Sequence, residues 1–153
     1  MATNIRQARV GDEQELFELQ ALLWPDASLE ELREEAGAAV NGRIVSTLPS
    51  ATLVSEDGVG GLTGFVAVGL RSHADGCDPA RPVGFIEGWF VRELFRGHGI
   101  GGALVRTAEA WARTKGCIEM ASDAVIDNRA SFDAHRALGF EVVDRCVHFR
   151  KKL

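Results

Sequence analysis

The chain has 153 residues, 17 Lys and Arg against 22 Asp and Glu for a formal charge of −5 at pH 7, and a content 46% hydrophobic and 25% charged. Those values describe one soluble globular domain spanning residues 1–153, able to bury a core without metals or disulfides, and the order of its elements makes it α/β. They exclude generic nucleic-acid binding, which needs a basic face, and no apolar run approaches the ~20 residues that span a bilayer.

The chain opens with a short strand candidate, residues 4–10, followed by Gly11-Asp12. Asp12 with Glu15 has the spacing of a capping box, and Leu16, Leu19, Leu22 and Leu23 give the next helix an apolar stripe that should end near Trp24-Pro25-Asp26. Ser28 with Glu31 repeats the capping signature, so a second helix is expected from Leu29 to Val40, stopped by Asn41-Gly42. Trp24 lies at the helix junction, either as a core plug or as a ligand contact.

Strands follow at Ala51 to Ser55 and Leu62 to Leu70, joined by the turn-forming residues 56–61. Residues 71–82 read as a surface loop, in which His73 and Cys77 have no partner at metal-ligand spacing. No metal site is expected. Cys77, Cys117 and Cys146, without CxxC spacing or a signal peptide, suggest reduced thiols in a cytoplasmic protein.

Val83 to Val91 is the strongest strand, and simple alternation puts Val83, Phe85, Glu87, Trp89 and Val91 on one face. A carboxylate on an apolar face must pair, protonate or face a cleft. Gly88 beside it suggests a bulge or a close ligand approach, either of which would open the sheet edge.

Next comes Arg96-Gly97-His98-Gly99-Ile100-Gly101-Gly102, leading into a helical run from Ala103 to Lys115. With few side chains in the way, backbone N–H groups there can approach a ligand, and the helix start adds roughly half a positive charge. That suits a phosphate or pyrophosphate. The loop is not a Walker loop, because Ala103 and Leu104 stand where Lys-Ser or Lys-Thr would follow the last glycine. Gly97, Gly99 and Gly102 satisfy the dinucleotide spacing, but Arg92 to Arg96 separate them from the strand and the chain has no room for a second nucleotide-binding half. A glycine-rich helix cap without ligand is the plain alternative. The last pattern is Arg-x-x-Gly-x-Gly at Arg96, Gly99 and Gly101.

Leu104, Ala108, Trp111 and Ala112 line the helix after the loop, and Ile118 to Ala121 is a strand. Ser122-Asp123 stands at its exit, where Asp123 is a turn residue or a ligand group. Asp127-Asn128 opens a helix carrying Phe132, His135 and Leu138 and closed by Gly139-Phe140. A last alternating strand is expected from Glu141 to Phe149, ahead of a basic terminus.

The Arg-x-x-Gly-x-Gly loop resembles the acyl-CoA pyrophosphate loop of the GCN5-related N-acetyltransferases (GNAT). Asn128, Ala130, His135, Leu138, Gly139 and Phe140 resemble the second signature of that superfamily. Leu23-Trp24-Pro25-Asp26, Phe85-Ile86-Glu87-Gly88, Ala121-Ser122-Asp123-Ala124 and Asp127-Asn128 are similar to stretches of its aminoglycoside 6'-N-acetyltransferases. The resemblance implies a GNAT fold, a central, mostly antiparallel sheet splayed at the cofactor strand and flanked by helices. It implies acetyl transfer from acetyl-CoA to the 6'-amine of aminoglycoside antibiotics, conferring resistance, in a cytoplasmic homodimer.

Under that resemblance Trp89, Phe90 and Val91 hold the pantetheine arm as an added strand. Arg96, Gly97, His98, Gly99, Ile100, Gly101 and Gly102 hold the pyrophosphate, and Asn128 contacts the pantetheine. Trp24 walls a sugar ring, while Glu87, Asp123 and Asp144 contact the cationic drug. Glu87 or Asp123 accepts the amine proton, directly or through water, and an N–H near Val91 stabilises the oxyanion. This chain has no tyrosine, and His135 occupies the place where many relatives carry a tyrosine acid, seven residues after the asparagine. It is either that acid or a packed helix residue. The loop around His73 and Ala74 also lacks an aromatic found in some relatives. Other amines, such as a polyamine, an amino acid or a protein N-terminus, and a non-catalytic acetyl-CoA sensor are the alternatives.

Overall fold

A computed structural model describes residues 3–42 and 47–153. Their elements in chain order are β1 (Asn4–Gln7), α1 (Glu13–Leu23), α2 (Leu29–Asn41), β2 (Ser50–Glu56), β3 (Leu62–Arg71), β4 (Val83–Val91), a 3-10 turn (Glu93–Phe95), α3 (Ile100–Thr114), β5 (Met120–Ser122) and α4 (Arg129–Ala137). The strands make one sheet in the order β1-β2-β3-β4-β5, antiparallel except for the parallel pair β4–β5. This is the mixed α/β architecture expected from the sequence.

Each face of the sheet buries its own apolar cluster. On one side Leu16, Phe17 and Leu19 of α1 and Leu32, Ala36 and Val40 of α2 meet Val54, Leu62 and Phe65. On the other, Leu104, Val105 and Ala108 of α3 meet Leu53, Val66, Val68, Ile86 and Val91. Full burial of side chains such as Leu16, Leu19 and Leu104 stabilises the fold by about 1.5–3 kcal/mol each. The α1 stripe differs from the expected one: Phe17 and Gln20 are buried, whereas Leu22 is exposed.

The capping boxes divide. Ser28 accepts the Glu31 N–H at 3.4 Å and α2 closes on the left-handed Gly42, as its sequence predicts. At α1 the box does not form. Asp12 instead accepts two bonds from Arg6, at 2.7 and 2.9 Å, plus the Arg9 N–H, and Glu15 reaches the Leu62 N–H. A charged acceptor in a fork with guanidinium outcompetes a neutral helix-end amide. Arg6 holds the Asp12 carboxyl below its ordinary value.

Strand β4 carries the bulge that positions the site. Against β3, Ala67 pairs with Gly88 and Val68 with Ile86, leaving Glu87 as the extra residue. The insertion shifts the side-chain phase, so the expected single face is broken. Ile86, Trp89 and Val91 pack with the α3 cluster, while Gly88 and Phe90 lie toward α1 and α2. Glu87 is consequently exposed rather than buried among apolar neighbours.

The expected last strand, Glu141 to Phe149, is absent. Residues 140–153 have no regular structure, and Val142, Val143, Val147 and Phe149 are exposed. A strand needs a neighbour for its N–H and C=O groups, and this segment has none among the described residues. Val143 lies beside Gly76 in the 72–82 loop, where a Cβ would come within 2.6 Å of it. Beyond β5 the sheet ends on an open edge.

Candidate active site

Strand β3 follows β4 along its whole length, from Gly64 opposite Val91 to Arg71 opposite Val83, but β5 pairs only with Gly84, Phe85 and Ile86. Pairing stops at Ile86 and Ser122, where β5 ends. The β4 edge from Glu87 to Val91, which includes Trp89 and Phe90, therefore faces no strand among the described residues. An extended chain bearing amides can add there as a strand does. The Val91 carbonyl already accepts Arg96 Nε at 2.8 Å, and the Arg96 guanidinium lies 5.2 Å from the Phe90 ring centre, so β4 anchors the glycine loop.

Gly97 and Gly99 have φ of 78° and 80°, the left-handed region that favours glycine, and a Cβ at either would meet nothing within 4 Å. The space above the loop is open. Ala103 is the first helical residue whose amide closes back, onto the Gly99 carbonyl at 3.0 Å. The N–H groups of Gly97, His98, Gly99, Ile100, Gly101 and Gly102 find no carbonyl partner among the described residues. They form an anion cradle at the start of a fifteen-residue helix.

Helix α3 starts at Ile100, three residues earlier than the run from Ala103 suggested, so Gly101 and Gly102 belong to its first turn. There they admit neighbours. A Cβ on Gly101 would lie 3.2 Å from the Trp89 indole, and one on Gly102 would lie 3.1 Å from Arg106 Nη1. Arg106 adds a cation beside the cradle that the sequence reading missed; its position four residues after Gly102 was the available signal. His98 donates Nδ1–H to the Phe95 carbonyl at 3.3 Å.

Glu87 and Asp123 come from the bulge and from the exit of β5, and one cation links them. Arg71 donates Nε–H to Glu87 Oε1 at 2.9 Å and Nη2–H to Oε2 at 2.8 Å. The Glu87 bond holds the guanidinium above its ordinary value, and the charge of Asp123 adds to the effect. Arg71 was not singled out from the sequence, although it ends the strand paired with β4. Trp24 closes this corner. Its ring lies against Gly88, where a Cβ would come within 2.6 Å of it, and stands edge-on to Phe65 at 6.1 Å. It thus packs on the core and borders the bulge together.

His135 joins α4 to β5. Its Nδ1 lies 2.7 Å from the Ser131 carbonyl, which can only accept, so Nδ1 carries a proton and Nε2 is left facing Ser122 Oγ at 2.8 Å. Trp89 and Phe140 meet the imidazole edge-on at 5.4 and 5.3 Å. Asn128 caps α4 by accepting the Ser131 N–H at 3.0 Å, which leaves its amide NH₂ free to donate outward. Asp144 is not brought to this group. It lies on the exposed C-terminal arm, accepting the N–H of its neighbour Arg145.

The described residues contain no group of three or more metal-ligating side chains, and no helix is long and apolar enough to cross a membrane. Cys77, Cys117 and Cys146 are free thiols, and burial pushes Cys117 up.

Residues 13–140 match the model of the acetyltransferase (GNAT) family. Over 97% of its length the chain is 36% identical to an aminoglycoside N(6')-acetyltransferase type 1 of Klebsiella aerogenes, of which it covers 96%. It is 38% identical to a protein of the same description from Stenotrophomonas maltophilia, covering 99% of this chain and 95% of that one. Among solved structures, AAC(6')-Iy in complex with the bisubstrate analogue CoA-S-monomethyl-acetylneamine superposes with a TM-score of 0.87 at 30% identity, over 100% of both chains. The aminoglycoside 6'-N-acetyltransferase AAC(6')-Ih of Acinetobacter baumannii gives a TM-score of 0.84 at 30% identity, over 99% of both chains.

Proposed function

The chain belongs to the acetyltransferase (GNAT) family, and from that premise we propose that it transfers the acetyl group of acetyl-CoA to the 6'-amine of aminoglycoside antibiotics. The observation that carries the reading is the early end of β5, which leaves β4 unpaired beyond Ile86 among the described residues. It opens one strand edge that runs from the carboxylate at Glu87 toward the unpartnered amides of the glycine loop. One end suits a cation and the other a pyrophosphate.

Acetyl-CoA, when bound, supplies the activated acyl group. The amides of residues 97–102, with Arg96 and the α3 dipole, oppose the charge of its pyrophosphate, and the free NH₂ of Asn128 donates to the pantetheine arm. Trp89, Phe90 and Val91 orient that arm along β4. Glu87 and Asp123 attract the ammonium of the drug, and one of them takes the proton that the amine must lose before it attacks. Trp24 provides the flat wall for the sugar ring.

His135 acts through Ser122. In its doubly protonated state the imidazole donates Nε2–H to Ser122 Oγ, and the serine hydroxyl is then free to turn its own proton toward the departing thiolate. Ser122 gives up that proton and receives the one on Nε2, leaving His135 neutral. Sulfur leaves readily, so this step assists rather than governs.

The active unit is a homodimer formed by the C-terminal arm. Residues 141–149 alternate like a strand, expose Val142, Val143, Val147 and Phe149, and pair with no strand among the described residues, where the sheet ends at β5. A second copy supplies the missing edge. Laid beside the partner's β5, the arm would bring Asp144 toward the partner's Ser122–Asp123 exit, giving Asp144 a substrate role although among the described residues of its own chain it bonds only to Arg145. With three free cysteines the protein works in the reducing cytoplasm.

The test is thiol release from acetyl-CoA with neamine, which carries a 6'-amine, and with paromamine, which carries a 6'-hydroxyl. Turnover with neamine alone is expected. Turnover with both moves the reaction to another amino group, and turnover with neither, but with a polyamine or amino acid, reassigns the substrate.

A further inference from the structure

Glu87 is exposed at the β4 bulge, yet both of its carboxylate oxygens are engaged. Arg71 holds them side-on in a two-bond fork, through Nε at 2.9 Å and Nη2 at 2.8 Å. The same guanidinium lies 3.5 Å from the centre of the Phe85 ring. Its plane therefore has a second support that does not depend on Glu87. Both partners remain about half exposed, 45% for Arg71 and 46% for Glu87. An ion pair so open to water separates at small cost, although its fork geometry makes it stronger than a single-point contact.

We infer that Arg71 is a resident stand-in for the substrate's ammonium, which an incoming cation must displace from Glu87, and that this competition selects polycations over single amines. The inference rests on the proposed use of Glu87 and Asp123 as the amine site. Two carboxylates and one guanidinium leave the corner with a single net negative charge. A monoamine then meets a half-neutralised site and must compete with a two-bond fork. A polycation places one ammonium on Glu87 and another toward Asp123, so displacing Arg71 gives it two charge contacts. The freed guanidinium keeps its place over Phe85.

Isothermal titration of neamine and of butylamine into the protein saturated with CoA tests this without turnover. Arg71→Gln should bind neamine about three- to tenfold more tightly than wild type, and butylamine should gain by a larger factor, narrowing the preference for the polycation. Arg71→Lys, which keeps the charge but loses the fork and the stacking, should fall between. In a Glu87→Gln background the Arg71→Gln change should have a much smaller effect, because the fork is gone and only the charge of Asp123 remains beside Arg71. CoA affinity, titrated separately into each CoA-free variant, reports folding; Arg71→Lys carries the test if Arg71→Gln does not fold.

Equal or weaker neamine binding by Arg71→Gln, with CoA affinity intact, would overturn the inference and make Arg71 a support for Glu87. If wild type neither binds nor acetylates neamine, the aminoglycoside reading fails by itself. Spermine then serves as the polycation in the same titration, and an unchanged spermine affinity in Arg71→Gln overturns the inference independently.

Discussion

At the scale of single residues, the proposed chemistry concentrates in four side chains: Glu87 in the β4 bulge, Ser122 and Asp123 at the end of β5, and His135 in α4. Glu87 and Asp123 are exposed, so their replacement by amides leaves packing intact and removes only charge and basicity. Glu87→Gln and Asp123→Asn are each expected to lower kcat/KM for neamine by about 10²-fold or more, with urea midpoints near wild type. Wild-type rates in either variant would strip that residue of its role. His135 and Ser122 behave as one unit if the proton path through the hydroxyl is right. Ser122→Ala and His135→Gln should each lower kcat about tenfold, and the double variant no further than the worse single one. Multiplying losses would instead make His135 a packed residue between Trp89 and Phe140.

At the scale of elements, local signals mark where the elements lie, and partner geometry decides what their ends do. Strand β4 was legible over its full length, as were the Ser28 cap and the left-handed Gly42, because each depends on neighbours in sequence. The Asp12 box failed because Arg6, on a different element, outcompetes a helix amide. The phase of β4 was illegible for the same kind of reason: alternation assumes one residue per pairing step, and the extra residue is visible only against β3. Gly88 was the sole hint of it. Both carboxylates, the glycine loop and Asn128 could be named from their motifs, whereas Arg71 and Ser122 take their significance from Glu87 and His135 across the fold. The bulge yields a test of its own. Gly88→Ala would set a Cβ 2.6 Å from Trp24 Cη2 without backbone strain, so the indole must move. That overpacking is expected to cost about 1–3 kcal/mol in urea unfolding and to raise KM for neamine while acetyl-CoA affinity stays unchanged. An unchanged KM would show that Trp24 serves the core alone.

At the scale of the whole molecule, the C-terminal arm is where a sound sequence pattern and the isolated chain disagree. Residues 141–149 have the alternation of a strand, and their apolar members stand in solvent. A monomer gains nothing from that arrangement, since exposed valines and Phe149 give up the burial that favours strand formation, and the open β5 edge invites association. Exchange of arms between two copies removes both defects and predicts that each cleft borrows Asp144 from its partner. Sedimentation should find a dimer, and Phe149→Asp with Val147→Asp should shift it toward monomer. Hybrids decide whether Asp144 acts across the dimer. Asp144→Asn alone is expected to lower kcat/KM for neamine about tenfold, and Glu87→Gln far more. In a dimer co-expressed from one chain of each kind, exchanged arms leave one cleft with both carboxylates intact, on the subunit carrying Asp144→Asn. Hybrid dimers isolated by two affinity tags should therefore show about half the wild-type kcat/KM, well above either parent. If Asp144 served its own cleft, every hybrid site would lack one carboxylate, and activity would stay at about the mean of the two parents. That outcome would leave the arms without exchange and assign Asp144 to the cleft of its own subunit.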